Sequence, residues 1–409
     1  MEKNGLEIPE HLSMEFFQKA IQTGFELSNV RVDRVIFSMG CAGGDNYSSL
    51  IYRTKVHFKT ADGSEKSVSL IVKCIPVEGD REVFKIMNVF GKEVIMYSKI
   101  LPVIERMLKS VNLSGQICPR LIYSQENPIN TIVFQDLNDL HLVLGNRNHG
   151  LDEDHAKMVL RKIGQFHAAS MVFARDNPEL VSIFNKSMFC KEADCTVRDS
   201  IFRENIRDMA DLVKLWDGFG DIARKLYQID GSFYDRIDRC LNGGESFKVL
   251  NHGDLWVNNC MFKHVNGLPN DMLFIDFQMS YYASPAIDLH YFLNTSVQLN
   301  VLISKRYILL RTYYRALKST LEALNYDKIP SWEEFKSDLR AKEFIGFWAF
   351  EAILPLLSMS KEASKDNSIE SFNNKEDSRK KRQVMFTSDR FLSTIKYSLD
   401  RFDELSVLD

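Results

Sequence analysis

The sequence lacks the features that mark several classes of protein. Its seven cysteines are scattered, with no Cys-x-x-Cys pair and no cysteine–histidine cluster at zinc-ligand spacing. The pattern therefore indicates reduced thiols rather than a zinc site or a disulfide framework. The N-terminus has no basic region followed by an apolar run, which argues against a secretory signal. No stretch approaches the ~20 apolar residues that a membrane span needs. We therefore expect a cytoplasmic protein that makes no use of a membrane.

A charge excess of either sign is also missing. The 52 basic and 55 acidic residues give a net charge of −3, so there is no electrostatic argument for a nucleic-acid partner or for binding to an anionic membrane surface. The sequence gives no indication of an obligate protein partner. With 409 residues, 45% of them hydrophobic and 26% charged, the chain is long enough for two or three domains and a large core.

The first third of the chain has the pattern of an α+β unit. Apolar residues at a period near 3.6 predict a helix over 10–29. Residues 82–109 predict a second helix, which Pro102 should kink or split. Runs rich in β-branched and aromatic residues predict five antiparallel strands, over 30–39, 48–60, 66–75, 119–125 and 131–137.

Helical patterns dominate after Leu137. The strongest covers 151–177, with Asp152 as its N-cap. The boundary between two lobes therefore falls near 137–142 and divides the chain into residues 1–137 and 138–409. The polar composition of residues 361–383 predicts a mobile loop or an insertion. Further helices are predicted over 196–228, 285–324, 332–359 and 387–406, and short strands over 247–254 and 271–277.

The residues best suited to chemistry lie in the segment KVLNHGDLWVNNCMF, residues 248–262. It contains His252, Asp254 and Asn259 in the spacing His-x-Asp-x-x-x-x-Asn. Phosphoryl transfer to a hydroxyl needs a carboxylate that orients the nucleophile and accepts its proton, and oxygen ligands for Mg²⁺ beside the triphosphate. We therefore predict Asp254 as the catalytic base and Asn259 as a metal ligand.

A second carboxylate, Asp276, ends the apolar run LFIDF. A carboxylate there is costly unless it binds something, and a β-hairpin between Asp254 and Asp276 would bring both to one cleft, with Asp276 on the metal. Two other interpretations remain: both aspartates only satisfy local turns, or His252 and the aspartates bind the metal of a hydrolase. The hydrolase interpretation gives Asn259 no role and finds no further histidine at ligand spacing.

The turn after the first predicted strand is rich in glycine. Gly40, Gly43 and Gly44 would allow backbone N–H groups to approach phosphate oxygens, and Asn46 and Ser48 would add side-chain donors. A flexible hairpin is the alternative. We predict these five residues to bind ATP.

Lys73 lies in the otherwise apolar strand SLIVKCI, where a lysine needs a partner. Glu93, in the middle of the predicted helix, is preferred as that partner to Glu82, which is nearer the helix start. We predict that Glu93 orients Lys73 towards the ATP phosphates. The alternative is a lysine that extends from a sheet edge into solvent.

Gln135, Asp136 and Leu137 end the last N-terminal strand, where adenine would hydrogen-bond backbone groups of the connection between the lobes. Asp136 would either contact the ribose or only begin the linker.

Two further polar residues have structural interpretations. His167 lies on the apolar face of helix 151–177 and is expected to be a satisfied core histidine. Asp288 is expected to cap or anchor the helix after Pro285. Several aromatic residues could line a substrate pocket or belong to the core: Trp216, Phe219, Tyr281, Tyr282, Trp332, Phe347 and Trp348.

Taken together, these motifs resemble those of the ecdysteroid kinase-like family, in the choline-kinase and aminoglycoside-phosphotransferase branch of the protein-kinase-like fold. The matching segments occur in family order over roughly residues 30–360. They are GCAGGDNYSS, LIVKC, KEVIMYSKILP, VFQDL, IGQFHAASM, LNHGDLWVNNCMF and LFIDFQMSYYASPAIDLHYFL.

The resemblance implies a two-lobed α+β fold, with a five-stranded antiparallel sheet and a helix in a small N-lobe and a larger, mostly helical C-lobe. It also implies ATP and Mg²⁺ as cofactors, Asp254 as base, Asn259 and Asp276 on the metal, and Lys73 on the phosphates. The implied substrate is a hydroxyl of a small molecule, such as an ecdysteroid, another steroid or a xenobiotic alcohol. Alternatives are a choline- or ethanolamine-type kinase, an inactive kinase-like scaffold, and a protein kinase.

Overall fold

The computed structural model describes residues 1–2, 5–40, 49–75, 87–187, 189, 196–242, 244, 247–360 and 375–409. One sheet and its helices form the N-terminal lobe, and a mostly helical lobe follows, so the fold class is α+β as the sequence predicts.

The N-terminal sheet has five antiparallel strands in the order β1-β2-β3-β5-β4. Side chains on β2 alternate between buried and more exposed positions, as expected for a sheet packed on one face. The strands are β1 (Arg31–Met39), β2 (Leu50–Lys59), β3 (Glu65–Ile75), β4 (Leu121–Gln125) and β5 (Asn130–Gln135). All five predicted strands are confirmed.

Helix α1 (Met14–Gly24) covers one face of this sheet and is shorter than the predicted 10–29. Its N-cap Ser13 accepts a hydrogen bond from the backbone of Phe16. Beyond its end Glu26 and Asn29 adopt positive φ values of 53°, which a continuing helix cannot contain.

The helix between β3 and β4 is divided, as Pro102 predicts. Helix α2 (Val89–Ile95) is followed by a π-helical turn (Met96–Ile100) and then by α3 (Leu101–Ser110). Pro102 has no N–H to donate, which removes one helical hydrogen bond at this junction.

A short linker leads from the sheet into the C-terminal lobe. After β5 come a 3₁₀ turn (Leu137–Leu140) and β6 (Leu142–Leu144), which pairs with β8 (Cys260–Val265) in a three-stranded sheet completed by β9 (Leu268–Phe274). The predicted strand near 247–254 is β7 (Val249–Asn251), which pairs with β10 (Tyr281–Ala283).

The C-terminal helices differ from prediction mainly where a helix is interrupted. They are α4 (Glu153–Asp176), α5 (Pro178–Val181), α6 (Thr196–Val213), α7 (Gly220–Asn242), α8 (Ala286–Thr295), α9 (Leu299–Ala323), α10 (Trp332–Ala341), α11 (Glu343–Trp348), α12 (Leu354–Leu357), α13 (Lys375–Met385) and α14 (Asp389–Glu404). Between α11 and α12 lies a second π-helical turn, Ala349–Ile353.

Two helices that the sequence predicts as continuous are each divided into two helices in the structure. The helix predicted over 196–228 stops before Gly218, whose φ of +82° is left-handed. The helix predicted over 285–324 is interrupted because Ser296 and Gln298 form backbone hydrogen bonds with Leu151 instead.

The prediction of a loop over 361–383 is wrong for its second part, because residues 375–383 belong to α13. Arg382 of this helix is buried and pairs with Glu204 and Asp208 on α6. Ion pairs thus help to fix this polar helix, together with the buried side chain of Met385 at its end. Residues 361–374 lie outside the described part of the chain.

Two large apolar clusters organise the molecule. One lies between α1 and the sheet; the other runs from the opposite face of the sheet, through α2 and α3, into the helices of the C-terminal lobe. The second cluster therefore joins the lobes. Within the described residues, no helix is both long and apolar enough to cross a membrane.

A buried ion cluster connects three C-terminal helices. Glu343, at the start of α11, accepts contacts from Arg306 of α9 at 3.3 Å and from Arg401 of α14 at 2.6 Å. Burial alone would raise the pKa of Glu343, but His290 and the two guanidinium groups lower it to about 2.

Glu343→Gln should therefore remove a pH-dependent part of the stability. A carboxylate with a lowered pKa stabilises the fold fully above its unfolded value of 4.5 and loses this contribution as the pH falls through about 2. Urea denaturation should show a difference of about 2–3 kcal/mol in the free energy of unfolding at neutral pH. This difference should shrink below about pH 4. A difference that is constant with pH would contradict the assignment.

Candidate active site

The segment that carries Asp254 makes a sharp turn after β7. Gly253 has a φ of +83°, and a Cβ at this position would lie 2.0 Å from the carbonyl oxygen of Met279. Only glycine tolerates both the backbone conformation and the close approach. The turn brings Asp254 towards the segment after β9, where Asp276 lies.

His252 fixes the spacing between these two segments. Its Nε2 contacts the carbonyl oxygen of Ile275 at 2.9 Å, and its Nδ1 accepts a bond from the backbone N–H of Asp254 at 3.4 Å. Nε2 must therefore carry the proton and donate. Both ring nitrogens are engaged, Nε2 with the residue before Asp276 and Nδ1 within the loop itself, which disfavours the alternative of a histidine metal ligand.

Asp288 anchors the same loop from α8. Its two carboxylate oxygens accept the backbone N–H groups of His252 at 2.6 Å and Gly253 at 2.9 Å. His167 lies 3.1 Å from Asp288 and 2.8 Å from the hydroxyl of Tyr313. Burial lowers the pKa of His167, so the neutral ring donates to Asp288 and accepts from Tyr313. His167 is a satisfied core histidine, as predicted, and Asp288 has a larger role than capping a helix.

Both oxygens of Asp254 have donors. Tyr291 donates to Oδ1 at 2.8 Å, and the side-chain amide of Asn259 donates to Oδ2 at 3.0 Å. Burial, and then the charge of Asp276, raise the pKa of Asp254. The carboxylate is therefore oriented and more basic than an exposed aspartate, both of which suit a general base.

Asn259 and Asp276 together offer oxygen ligands for a cation. The amide nitrogen of Asn259 is turned to Asp254, donating to its backbone oxygen at 2.8 Å as well as to its side chain, so Oδ1 of Asn259 faces away from the base. Asp276 occupies the left-handed region at φ +66°, and its side chain is partly exposed at 22%.

The oxygen atoms of Asn259 and Asp276 suit Mg²⁺ better than a metal ion whose ligands all come from the protein. In the described part of the chain, no group of three or more His, Cys, Asp or Glu side chains could hold a metal ion. One carboxylate and one amide oxygen are a typical protein contribution to Mg²⁺, whose other ligands are water and substrate phosphates.

Lys73 on β3 links the two lobes. Its ammonium group lies 2.8 and 2.9 Å from the two oxygens of Glu93, 2.8 Å from Asp276 and 3.3 Å from Gln278. Burial alone would lower the pKa of Lys73, but Asp276 and Glu93 raise it. The predicted pairing with Glu93 is present, and Lys73 is not the exposed edge lysine of the alternative interpretation. Glu82 lies outside the described residues.

The predicted nucleotide-binding residues divide into three groups. Gly43, Gly44, Asn46 and Ser48 lie outside the described residues. Gly40 is described, and its N–H donates to the carbonyl of Ile51 at 2.9 Å; it therefore closes the β1–β2 pairing.

The third group is at the linker. Gln135 exchanges hydrogen bonds with the backbone of Arg120. Asp136 is buried, accepts from Arg53 at 2.7 Å and caps the 3₁₀ turn through the N–H of Asn138. Both of its oxygens are engaged, so the structure favours the interpretation that Asp136 begins the linker. Leu137 is buried in a small apolar cluster with Leu142 and Leu273.

Three side chains at the site were missed by the sequence argument. Tyr291 contacts the base, Gln278 contacts Lys73, and the hydroxyl of Tyr97 accepts the backbone N–H of Asp276 at 3.1 Å. Tyr291 falls three residues after Asp288 in an apolar helix, and Tyr97 lies within the π-helical turn. From the sequence pattern, neither tyrosine can be distinguished from an ordinary core residue.

Residues 43–326 match the model of the ecdysteroid kinase-like family, which covers more than half of the chain. The chain belongs to the ecdysteroid kinase-like family. Membership supports a small-molecule phosphotransferase. No curated protein matches the sequence.

Small-molecule kinases are among the solved structures that match this chain at low TM-scores. An aminoglycoside phosphotransferase from Streptomyces rimosus is 13% identical over 75% of this chain and 90% of its own, with a TM-score of 0.32. Aminoglycoside 2′-phosphotransferase IIIa with GDP is 12% identical over 86% and 98%, with a TM-score of 0.37. A glucosamine kinase is 11% identical over 86% and 92%, with a TM-score of 0.35. At these TM-scores, nothing about the activity of the chain follows from the likeness.

Gly253→Ala should both destabilise the protein and abolish its activity, because the new Cβ would collide with Met279 and the residue would keep a left-handed φ. We expect the free energy of unfolding in urea to fall by about 2 kcal/mol or more. Gly231→Ala is the matched control: Gly231 lies within α7 and its Cβ would meet nothing within 4 Å. That variant should gain about 0.5–1 kcal/mol. Equal effects of the two substitutions would contradict this account of the loop.

Proposed function

We propose that this chain is an ATP-dependent phosphotransferase that phosphorylates a hydroxyl group of a small molecule. The observation that carries the proposal is the set of contacts that brings Lys73, Asp254, Asn259 and Asp276 together. A buried lysine from the N-terminal lobe contacts Asp276, two residues after β9. The loop after β7 presents Asp254, an oriented and more basic aspartate whose pKa is raised in part by Asp276. Family membership supports the same reaction class.

Each residue then has one task. Lys73, oriented by Glu93, binds phosphate oxygens of ATP. Asp254 hydrogen-bonds the acceptor hydroxyl, directs it towards the γ-phosphorus and takes its proton as the new P–O bond forms. Asn259 and Asp276 would hold Mg²⁺, which neutralises charge on the phosphates. ADP leaves as the bond from the γ-phosphorus to the bridging oxygen breaks.

The linker offers a surface for the adenine base. The partly buried side chains of Leu140, Met261 and Ile275 pack against the cluster of Leu137, Leu142 and Leu273. Leu137, the last residue of the predicted connection Gln135–Leu137, belongs to this cluster. An apolar surface beside backbone hydrogen-bonding groups is the usual chemistry of a purine pocket.

The acceptor is proposed to be an ecdysteroid, another steroid or a xenobiotic alcohol, acted on in the cytoplasm. A choline-type substrate would need anionic or aromatic groups that enclose a quaternary ammonium. A kinase-like scaffold would not need an oriented base at Asp254, since binding alone requires no proton acceptor.

Asp254→Asn and Asp276→Asn should each abolish transfer while the fold is retained. The expected loss of kcat is at least about 10²–10⁴-fold, because each removes a group that acts on the reacting atoms or on the metal. The measurement is Mg²⁺-dependent ATP consumption with polyhydroxylated steroids, choline, ethanolamine and plant alcohols. Circular dichroism checks the fold.

The matched control is Asp221→Asn, on an exposed aspartate at the start of α7. It should keep the wild-type rate. If either active-site variant keeps near-normal turnover, the role given to that residue is wrong. If the wild-type protein neither turns over any acceptor nor shows an ATP-dependent rise in melting temperature, the scaffold alternative replaces the proposal.

A further inference from the structure

A second concave site lies on the C-terminal lobe, between helices α4 and α9. We call it the α4–α9 groove. Its volume is about 590 Å³, which is within the range of small-molecule sites. All of its lining residues come from these two helices, and none of them belongs to the candidate active site. The groove is therefore separate from the site described above.

The two helices are held close together at the groove. A Cβ at Gly164 of α4 would lie 2.8 Å from the backbone oxygen of Tyr313 on α9, so a larger residue would push the helices apart. The hydroxyl of Tyr313 also contacts Nδ1 of His167, on α4, at 2.8 Å. Arg161 lies three residues before Gly164, and Arg315 lies two residues after Tyr313. These two arginines therefore line opposite walls of a groove whose width is fixed by the helix packing.

The lining of the groove is strongly cationic. Four lining residues are basic and one is acidic, which gives a net charge of +3 in a chain whose net charge is −3. They are Arg161, Arg311, Arg315, Lys318 and Glu322. Glu322 lies 3.7 Å from Lys318, so it leaves the guanidinium groups uncompensated. Within the described part of the chain, none of the three arginines forms an ion pair with a carboxylate.

Like charges are also neighbours along α9. Arg311 and Arg315 are four residues apart and share one face of the helix, a spacing at which equal charges repel. Arg311 is nevertheless held in place, because its guanidinium group stacks over the ring of Trp332 at 4.6 Å. The cations are thus gathered at a cost to the free protein, and an anion between them would remove the repulsion.

We infer that the α4–α9 groove binds a small molecule that carries two or more phosphate groups. A guanidinium group presents paired N–H donors that match phosphate oxygens, and three such groups offer more donors than one phosphate can engage. The size of the groove favours a compact polyanion over an acidic protein segment. The inference goes beyond the proposed phosphotransferase function and does not depend on it, because the two sites share no residue.

The test is isothermal titration calorimetry of the full chain with tripolyphosphate in the absence of Mg²⁺. The groove variant is Arg161→Gln/Arg315→Gln. Its matched control is Arg224→Gln/Arg239→Gln, which removes the same charge from two exposed arginines of α7. The control should bind as wild type does. The groove variant should lose a binding component or bind at least about tenfold more weakly, because two charged hydrogen-bond donors are removed.

The difference between the two double variants reports the groove alone. Any binding of tripolyphosphate at the candidate active site is common to all three proteins and cancels in the comparison. If wild type does not bind tripolyphosphate, or if the groove variant binds it as tightly as the control, the inference is overturned.

Inorganic phosphate and a short polyglutamate peptide test the class of ligand. For the binding that the groove variant loses, both should be weaker ligands than tripolyphosphate. Equal affinity for a single phosphate, or higher affinity for polyglutamate, would contradict a small polyphosphate as the ligand.

Melting temperature supplies the second readout. Tripolyphosphate should raise the melting temperature of wild type and of the control, because a ligand that binds the folded state stabilises it, and should raise that of the groove variant less. Without ligand, the groove variant should melt no lower than wild type, because the repulsion between neighbouring arginines is relieved. A much lower melting temperature without ligand would show that the arginines serve the fold and would contradict the inference.

Discussion

The ion pair network around Lys73 is the interaction on which the candidate site depends. One ammonium group contacts Glu93, from the helix between β3 and β4, and Asp276, from the C-terminal lobe. Burial raises the pKa of Glu93, with Lys73 opposing this shift, so removing the lysine would leave a carboxylate uncompensated in the core. Buried ion pairs are weak evidence for net stability. In this protein the network sets the position of the two lobes relative to each other, because its members come from both.

A second constraint positions the base. Asp288 accepts two consecutive backbone N–H groups of the loop before Asp254, and His252 ties the same loop to the carbonyl of Ile275, next to Asp276. These hydrogen bonds therefore hold Asp254 and Asp276 at a fixed separation. A site whose groups are fixed before the substrate arrives needs little reorganisation during the reaction.

Most of the sheet and the proximity of the candidate site residues could be predicted from the sequence, because strands with β-branched residues and the spacing of Asp254, Asn259 and Asp276 are local patterns. Gly218 shows what such patterns miss, since a left-handed glycine interrupts a periodicity that otherwise continues. Helix α13 was not predicted because Arg382 is buried through ion pairs with residues distant in the sequence, and a local pattern does not reveal such contacts.

The most direct test of the central claim is to follow the γ-phosphoryl group of ATP by ³¹P nuclear magnetic resonance with Mg²⁺ and an alcohol acceptor. The account predicts that a new phosphomonoester signal appears at the rate at which ATP is consumed, with wild type and not with Asp254→Asn. Release of inorganic phosphate alone, at the same rate with and without acceptor, would contradict the account. Asp254 would then activate water for hydrolysis of ATP rather than the hydroxyl of a small molecule.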